Sequence, residues 1–134
     1  MAGPERVDAY FLMQRFRSDE RALSAALALF VEREDFGYVW LVYRDDSPVG
    51  CASVGYSIGT AAGGIVALVR DLYVLPDARR SGVGSALLDA LHERLDAADV
   101  VQVDIPVAAD PGLQAFLRAR GYAPSDENVF SLGR

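Results

Sequence analysis

The densest run of chemically capable residues lies between Asp71 and Ser85. A strand-like stretch, Leu72-Tyr73-Val74-Leu75, leads into a turn with two adjacent arginines, Arg79 and Arg80. Ser81-Gly82-Val83-Gly84-Ser85 follows, at the mouth of a segment with helical spacing. Such a junction suits an anion. The first amides of a helix have no partners inside it, and the helix dipole places partial positive charge there. Glycine at 82 and 84 omits the side chains that would hold a diphosphate away from those amides. Arg79 and Arg80 add two fixed charges to a chain whose formal net charge is -6. The alternative is a helix opened by Ser81, with the glycines serving tight helix–sheet packing. The coincidence of arginines, glycines and strand context favours the anion site.

The elements that must position this turn follow from periodicity. From Asp19 to about Glu32, Leu23, Leu27 and Phe30/Val31 fall on one helical face, with Ser18 as N-cap and Gly37 closing the segment. Tyr38–Tyr43 and Val49–Ser57 read as strands around the turn composition Asp45-Asp46-Ser47-Pro48, which makes a hairpin. Ile65–Val74 is again strand-like, and Gly84, Leu87, Leu88, Leu91 and Leu95 recur at helical spacing. Val100–Ile105 is apolar enough for a strand covered on both faces, so a βαβ unit with right-handed crossover is expected. Asp110-Pro111 opens a last helix that reaches Arg120 and stops at Gly121, and Asn128–Leu132 is a candidate closing strand. The first fifteen residues suit a helix better than a strand, although Val7, Ala9, Phe11 and Met13 alternate. The expected fold is a mixed α/β sheet: an antiparallel hairpin plus a parallel βαβ unit, flanked by helices.

Composition bounds the function. A chain of 134 residues has room for one domain, spanning 1–134, and 51% hydrophobic against 24% charged residues can fill a core. No apolar run approaches the roughly 18 residues of a membrane span, and Glu5, Arg6 and Asp8 stand where a signal sequence would become apolar. One cysteine and one histidine provide neither an internal disulfide nor a transition-metal site, and Cys51 reads as a small buried apolar residue. The chain has no lysine, which excludes a phosphate loop of the Walker type. The acidic balance argues against nucleic acid, whose binding depends on neutralising phosphates. A cytoplasmic domain without metal, nucleic acid or membrane as partner is expected.

Arg79-Arg80-Ser81-Gly82-Val83-Gly84 resembles motif A of the GNAT superfamily, the Gcn5-related N-acetyltransferases, written Q/R-x-x-G-x-G/A at the start of a long helix. Asp71–Pro76 is similar to the strand that precedes that motif, and Gln114–Tyr122 to a later family helix ending in a glycine-aromatic pair. Val39–Val42 and Pro48–Gly50 resemble the central hairpin, so the likeness runs over roughly residues 16 to 132. It implies acetyl-CoA as co-substrate and a primary amine of a small molecule or peptide as acceptor, with direct transfer and no acyl-enzyme. Arg79, Arg80, Ser81, Gly82, Val83, Gly84 and Ser85 would hold the pyrophosphate. The backbone of Leu72 and Val74 would pair with the pantetheine arm like an added strand, because the family's strand here splays from its parallel neighbour.

Three departures qualify the resemblance. Leu117 stands where the family often has a tyrosine that protonates the departing thiolate. A thiol titrates near pH 8.5, so losing that acid should slow transfer rather than forbid it. Asp110 replaces a common asparagine, and an N-cap role accounts for it. The family's first strand is missing or supplied differently, and an exposed edge would favour a homodimer. For a general base the first candidate is Asp71, three residues before Val74, and the second is Asp104, at the end of the parallel neighbour. His92 falls on a partly exposed helical face, away from the transfer point. The second reading is a non-catalytic CoA-binding module with a regulatory or assembly role, kept open by Leu117; a module for another nucleotide is a third.

Overall fold

The computed structural model describes residues 1–125 and 129–134. Two helices come first, α1 (Gly3–Met13) and α2 (Glu20–Glu32), followed by strands β1 (Gly37–Arg44), β2 (Ser47–Gly59) and β3 (Gly64–Val74). A 3-10 turn at Pro76–Ala78 leads to α3 (Val83–Ala97), β4 (Val100–Asp104) and α4 (Pro111–Ala119). The sheet order is β1-β2-β3-β4, antiparallel except for the β3–β4 pair, which α3 connects. This is the mixed α/β sheet expected, hairpin and βαβ unit included. No helix of the described residues is long and apolar enough to cross a membrane.

The opening segment is a helix, because Ala9, Leu12 and Met13 bury on one side of it while Val7 stays exposed. The cap of α2 is Asp19 rather than Ser18: its carboxylate accepts the Ala22 amide at 3.0 Å, a geometry a carboxylate one residue later supplies equally well. Gly37 does not end α2, which stops at Glu32; it opens β1, where a Cβ would lie 1.9 Å from the Val54 carbonyl oxygen. Asp45 and Asp46 both take left-handed φ, 51° and 64°, making the two-residue turn whose twist matches a hairpin. Pro48 therefore falls inside β2.

Two layers of side chains hold the helices. On one face Leu12, Leu23, Leu27, Val39 and Cys51 pack α1 and α2 against the sheet. On the other, Leu87, Leu88, Leu91 and Leu95 of α3 cover Ala52, Val54, Ala67 and Val69. Each such buried leucine contributes about 1.5–3 kcal/mol.

Two expectations fail at the far side. β4 is an edge strand with one face open, so Val101 is 56% exposed rather than covered on both sides. Val129–Leu132 forms no strand; Val129, Phe130 and Leu132 are exposed, and Asn128 lies outside the described residues. A lone segment cannot satisfy its own backbone bonds, and these residues pair with no neighbour among the described ones. No strand precedes α1 among the described residues either.

Candidate active site

β3 and β4 separate early. Their pairing ends at Leu68↔Asp104, while β3 continues to Val74. From Val69 onward the β4-facing edge of β3 therefore borders a gap. Within that stretch, Ser53 pairs with Arg70 and Cys51 with Tyr73, so Ala52 alone opposes Asp71 and Leu72. This is a β-bulge, and Asp71 takes φ 55° to make it. The bulge reverses the alternation: Ala67, Val69 and then Leu72 face α3, whereas Tyr73 turns to the α1–α2 layer.

The open edge is specific about its backbone. The Leu75 amide donates to the Val49 carbonyl at 2.9 Å, so Val74 directs its own amide and carbonyl the other way, toward the gap. Arg79 Nε donates to that Val74 carbonyl at 2.9 Å, with its guanidinium 5.5 Å from the Tyr73 ring. Arg80 stands exposed with φ 62°. Ser81 Oγ donates to the Ala78 carbonyl rather than capping the helix.

The start of α3 is left open. Asp19 caps α2 and Asp110 caps α4, accepting the Leu113 amide at 3.0 Å, but no side chain caps α3. The Gly82 carbonyl takes the Ala86 amide, which leaves the amides of Val83, Gly84 and Ser85 as the unpaired first turn. Gly82 sits at φ 84° with open space where a Cβ would be. A Cβ on Gly84 would meet Phe116 Cζ at 3.8 Å and Val74 Cγ2 at 3.9 Å, so these three residues border one narrow slot. An uncapped amide turn, a glycine cradle and an unpaired strand edge fit a phosphorylated, amide-bearing arm. Of the residues expected here, Val74 and Gly84 border the slot and Arg79 reaches it through the Val74 carbonyl.

A cavity of about 560 Å³ opens on the gap between the parted strands. Leu68, Arg70, Asp104, Gln114, Leu117 and Arg118 are among its walls. Asp104 lines it and accepts from Gln102 Nε2 at 3.0 Å through Oδ1. Asp71 does not line it. Its Oδ1 takes Arg17 Nε at 2.9 Å and Nη2 at 2.5 Å, and its Oδ2 takes Ser53 Oγ at 2.7 Å. Leu117 is 4% exposed and belongs both to the α3 core and to the cavity wall. Cys51 is fully buried and donates to the Asp71 carbonyl at 3.4 Å; burial, with the Asp71 charge nearby, pushes its thiol up to about 12. It is the inert apolar residue expected. His92 Nε2 lies 2.5 Å from the Tyr122 hydroxyl and ties α3 to the segment after α4.

Arg17, Ser53, Arg70, Gln114 and Arg118 enter the site without having been singled out from the sequence. Arg17 and Ser53 depend on the bulge, which turns Asp71 toward them, and no local sequence signal marks a bulge without glycine. Arg118 follows Leu117 and Arg70 precedes Asp71, so adjacency to named positions was the available clue.

Comparison with known proteins places the family and the fold. A family profile described as "Acetyltransferase (GNAT) domain" matches residues 35–124. The chain is similar to a mycothiol acetyltransferase of Catenulispora acidiphila, 36% identical over 86 residues, which is 64% of this chain and 27% of that protein. The chain thus matches about a quarter of that relative's length. Among solved structures it is similar to the aminoglycoside N-acetyltransferase AAC(6')-Iy in complex with CoA, with TM-score 0.84, 16% identity, and 100% and 91% of the two chains covered. It is also similar to the aminoglycoside 6'-N-acetyltransferase AAC(6')-IG of Acinetobacter haemolyticus, with TM-score 0.80, 20% identity, and 100% and 95% covered. With a domain profile spanning most of its length and a fold that superposes on these enzymes end to end, the chain belongs to the GNAT family of acetyltransferases.

Proposed function

We propose that this protein transfers an acetyl group from acetyl-CoA directly to a primary amine of a small molecule or peptide. The observation that carries the reading is the parting of β3 from β4 beside the uncapped, glycine-opened start of α3. Acetyl-CoA supplies the acetyl thioester. The amides of Val83, Gly84 and Ser85, with Arg80 beside them, hold the pyrophosphate, and the Leu72 and Val74 backbone takes the pantetheine arm as an added strand. Arg79 hands over the Val74 carbonyl or shares it.

On the far side of the gap the amine meets Asp104. As the C–N bond forms and the C–S bond breaks, the amine gives up one proton and the leaving thiolate takes up one. An alkylammonium titrates near 10, so a carboxylate in reach of the nitrogen helps by accepting its proton directly or through water. Asp104 has Oδ2 available for that, whereas both oxygens of Asp71 are engaged. We therefore assign proton acceptance to Asp104, and to Asp71 a positioning role that ties the α1–α2 connection to the bulge. Leu117 provides no acid, and water protonates the thiolate.

The test is a thiol-release assay with acetyl-CoA and a panel of amines, beside calorimetric titration of acetyl-CoA and of ATP. Release that depends on the amine supports transfer. Tight acetyl-CoA binding with no transfer to any amine would instead support the regulatory CoA-binding module that Leu117 keeps in play.

A further inference from the structure

The cavity at the parted strands has a charge of its own. The chain has 19 acidic residues against 13 basic ones, yet among the described residues the charged groups lining the cavity are two arginines, Arg70 and Arg118, and one carboxylate, Asp104. Several other arginines are tied down, whereas Arg6, Arg21, Arg44, Arg80 and Arg134, whose side chains have no partner among the described residues, lie outside the cavity lining. Arg17, Arg33 and Arg120 pair with Asp71, Asp35 and Asp89, Arg79 holds the Val74 carbonyl, and Arg94 lies over Tyr38. Neither the Arg70 nor the Arg118 side chain has an ion pair, a hydrogen bond or a ring contact among the described residues. Asp104 forms no ion pair with either arginine and accepts a hydrogen bond from Gln102 instead.

These two guanidinium groups come from different elements. Arg70 stands on β3 two residues past the last β3–β4 pair, immediately before the bulge, and Arg118 on α4 next to Leu117. Leu68 and Leu117 supply apolar wall between them, and Gln114 adds an amide. A guanidinium matches the two oxygens of a carboxylate or phosphate in a planar fork. A cavity of about 560 Å³ lies in the range that encloses small molecules.

Resting on the transfer reaction proposed above, we propose that the acceptor is a small amine that also carries an anionic group, a carboxylate or phosphate. Arg70 and Arg118 bind that group, and Asp104 receives the amine end. The bipolar lining orients the acceptor: its anion is drawn to the arginines and its nitrogen to the carboxylate at the gap. A polycationic acceptor meets two positive charges against one negative and is disfavoured, although the chain as a whole is acidic.

The experiment uses four amines of similar size: β-alanine, O-phosphoethanolamine, ethanolamine and 1,3-diaminopropane. Thiol release is measured for each at saturating acetyl-CoA, and each is titrated calorimetrically into the CoA-saturated and the free protein. The expected result is a kcat/KM at least about tenfold higher for an anionic amine than for ethanolamine, with the diamine lowest. Whichever of the carboxylate and the phosphate is preferred identifies the anion. Arg70→Gln and Arg118→Gln should each raise KM for that amine about 10–100-fold and so abolish its advantage over ethanolamine, and Arg118→Lys should recover only part. Transfer to all four amines alike, or arginine variants without effect on the preference, overturns the proposal while transfer itself stands. Arginine-dependent binding of an anionic amine without transfer supports this site and refutes the transfer reaction instead. If acetyl-CoA itself fails to bind, the titrations into free protein still decide the matter: no arginine-dependent affinity for either anion sinks it.

Discussion

A valine at position 84 separates coenzyme binding from folding. The added Cβ would sit 3.8 Å from Phe116 Cζ and 3.9 Å from Val74 Cγ2, ordinary contacts that the fold absorbs. Two further carbons, each about 1.5 Å beyond, must then enter the slot or lean over the first amides of α3. In a helix, leaving glycine gains about 0.5–1 kcal/mol, and valine gives back about 0.5 kcal/mol of that relative to alanine. Stability should therefore change by less than about 0.5 kcal/mol. Binding should lose at least one hydrogen bond between an amide and a charged phosphate, about 1.5–3 kcal/mol, which weakens acetyl-CoA by about 10–150-fold. Gly84→Ala is the matched control: its single Cβ stops at contact distance, so the melting temperature should rise by about 2–4 °C and affinity should stay within about threefold. Calorimetric titration of acetyl-CoA and thermal melts on all three proteins provide the comparison. A valine variant that melts normally and binds acetyl-CoA as well as the parent would refute the slot at Gly84.

Asp104→Asn should lower kcat by about 10²–10⁴ at pH 7 with acetyl-CoA affinity unchanged, and raising the pH should restore part of the loss; the reverse pattern, inactivation by Asp71→Asn alone, would move the proton acceptor to Asp71. Leu117→Tyr should raise turnover or leave it no worse, since a hydroxyl could then protonate the thiolate, and a large drop with normal acetyl-CoA affinity would make Leu117 a wall of the acceptor cavity only. Folded Cys51 keeps its proton to about 12, whereas an exposed thiol loses its own near 9, so its contribution to stability is complete below pH 9 and declines as pH rises towards 12. Burial with an Asp8 hydrogen bond pushes Tyr43 to about 12 as well, so Cys51→Ala should flatten the alkaline slope of stability in part, as denaturant titrations from pH 8 to 10.5 would show.

Much of the fold was legible because its signals are local. Helical spacing of Leu87, Leu88, Leu91 and Leu95, the Asp110-Pro111 start and the Asp45-Asp46 turn each need only a few neighbouring residues. The glycine turn before α3 was legible for the same reason: glycines at fixed offsets state what the backbone must do. What escaped depends on partners distant in sequence. Whether Val100–Asp104 lies inside a sheet or at its edge is decided by whether another strand arrives, and Val129–Leu132 carries a strand-like composition yet pairs with no described strand. Asp71 illustrates the limit within the site. Strand alternation alone sets it opposite Leu72; the bulge then hands its two oxygens to Arg17 and Ser53, 54 and 18 residues away. Composition likewise gave the acidity of the whole and concealed the arginines of the cavity.

The two strands that part at Leu68 and Asp104 are the same two that α3 joins. That helix is fastened to the sheet by Leu87, Leu88, Leu91 and Leu95, none more than 1% exposed. Drawing the strand ends together would mean lifting this row of leucines, at about 2–5 kcal/mol for each one unseated. The doorway is therefore propped by the hydrophobic core itself. A ligand entering it finds its threshold already built, so little backbone ordering is charged against association, and the motion left to binding is the swing of Arg79 away from the Val74 carbonyl.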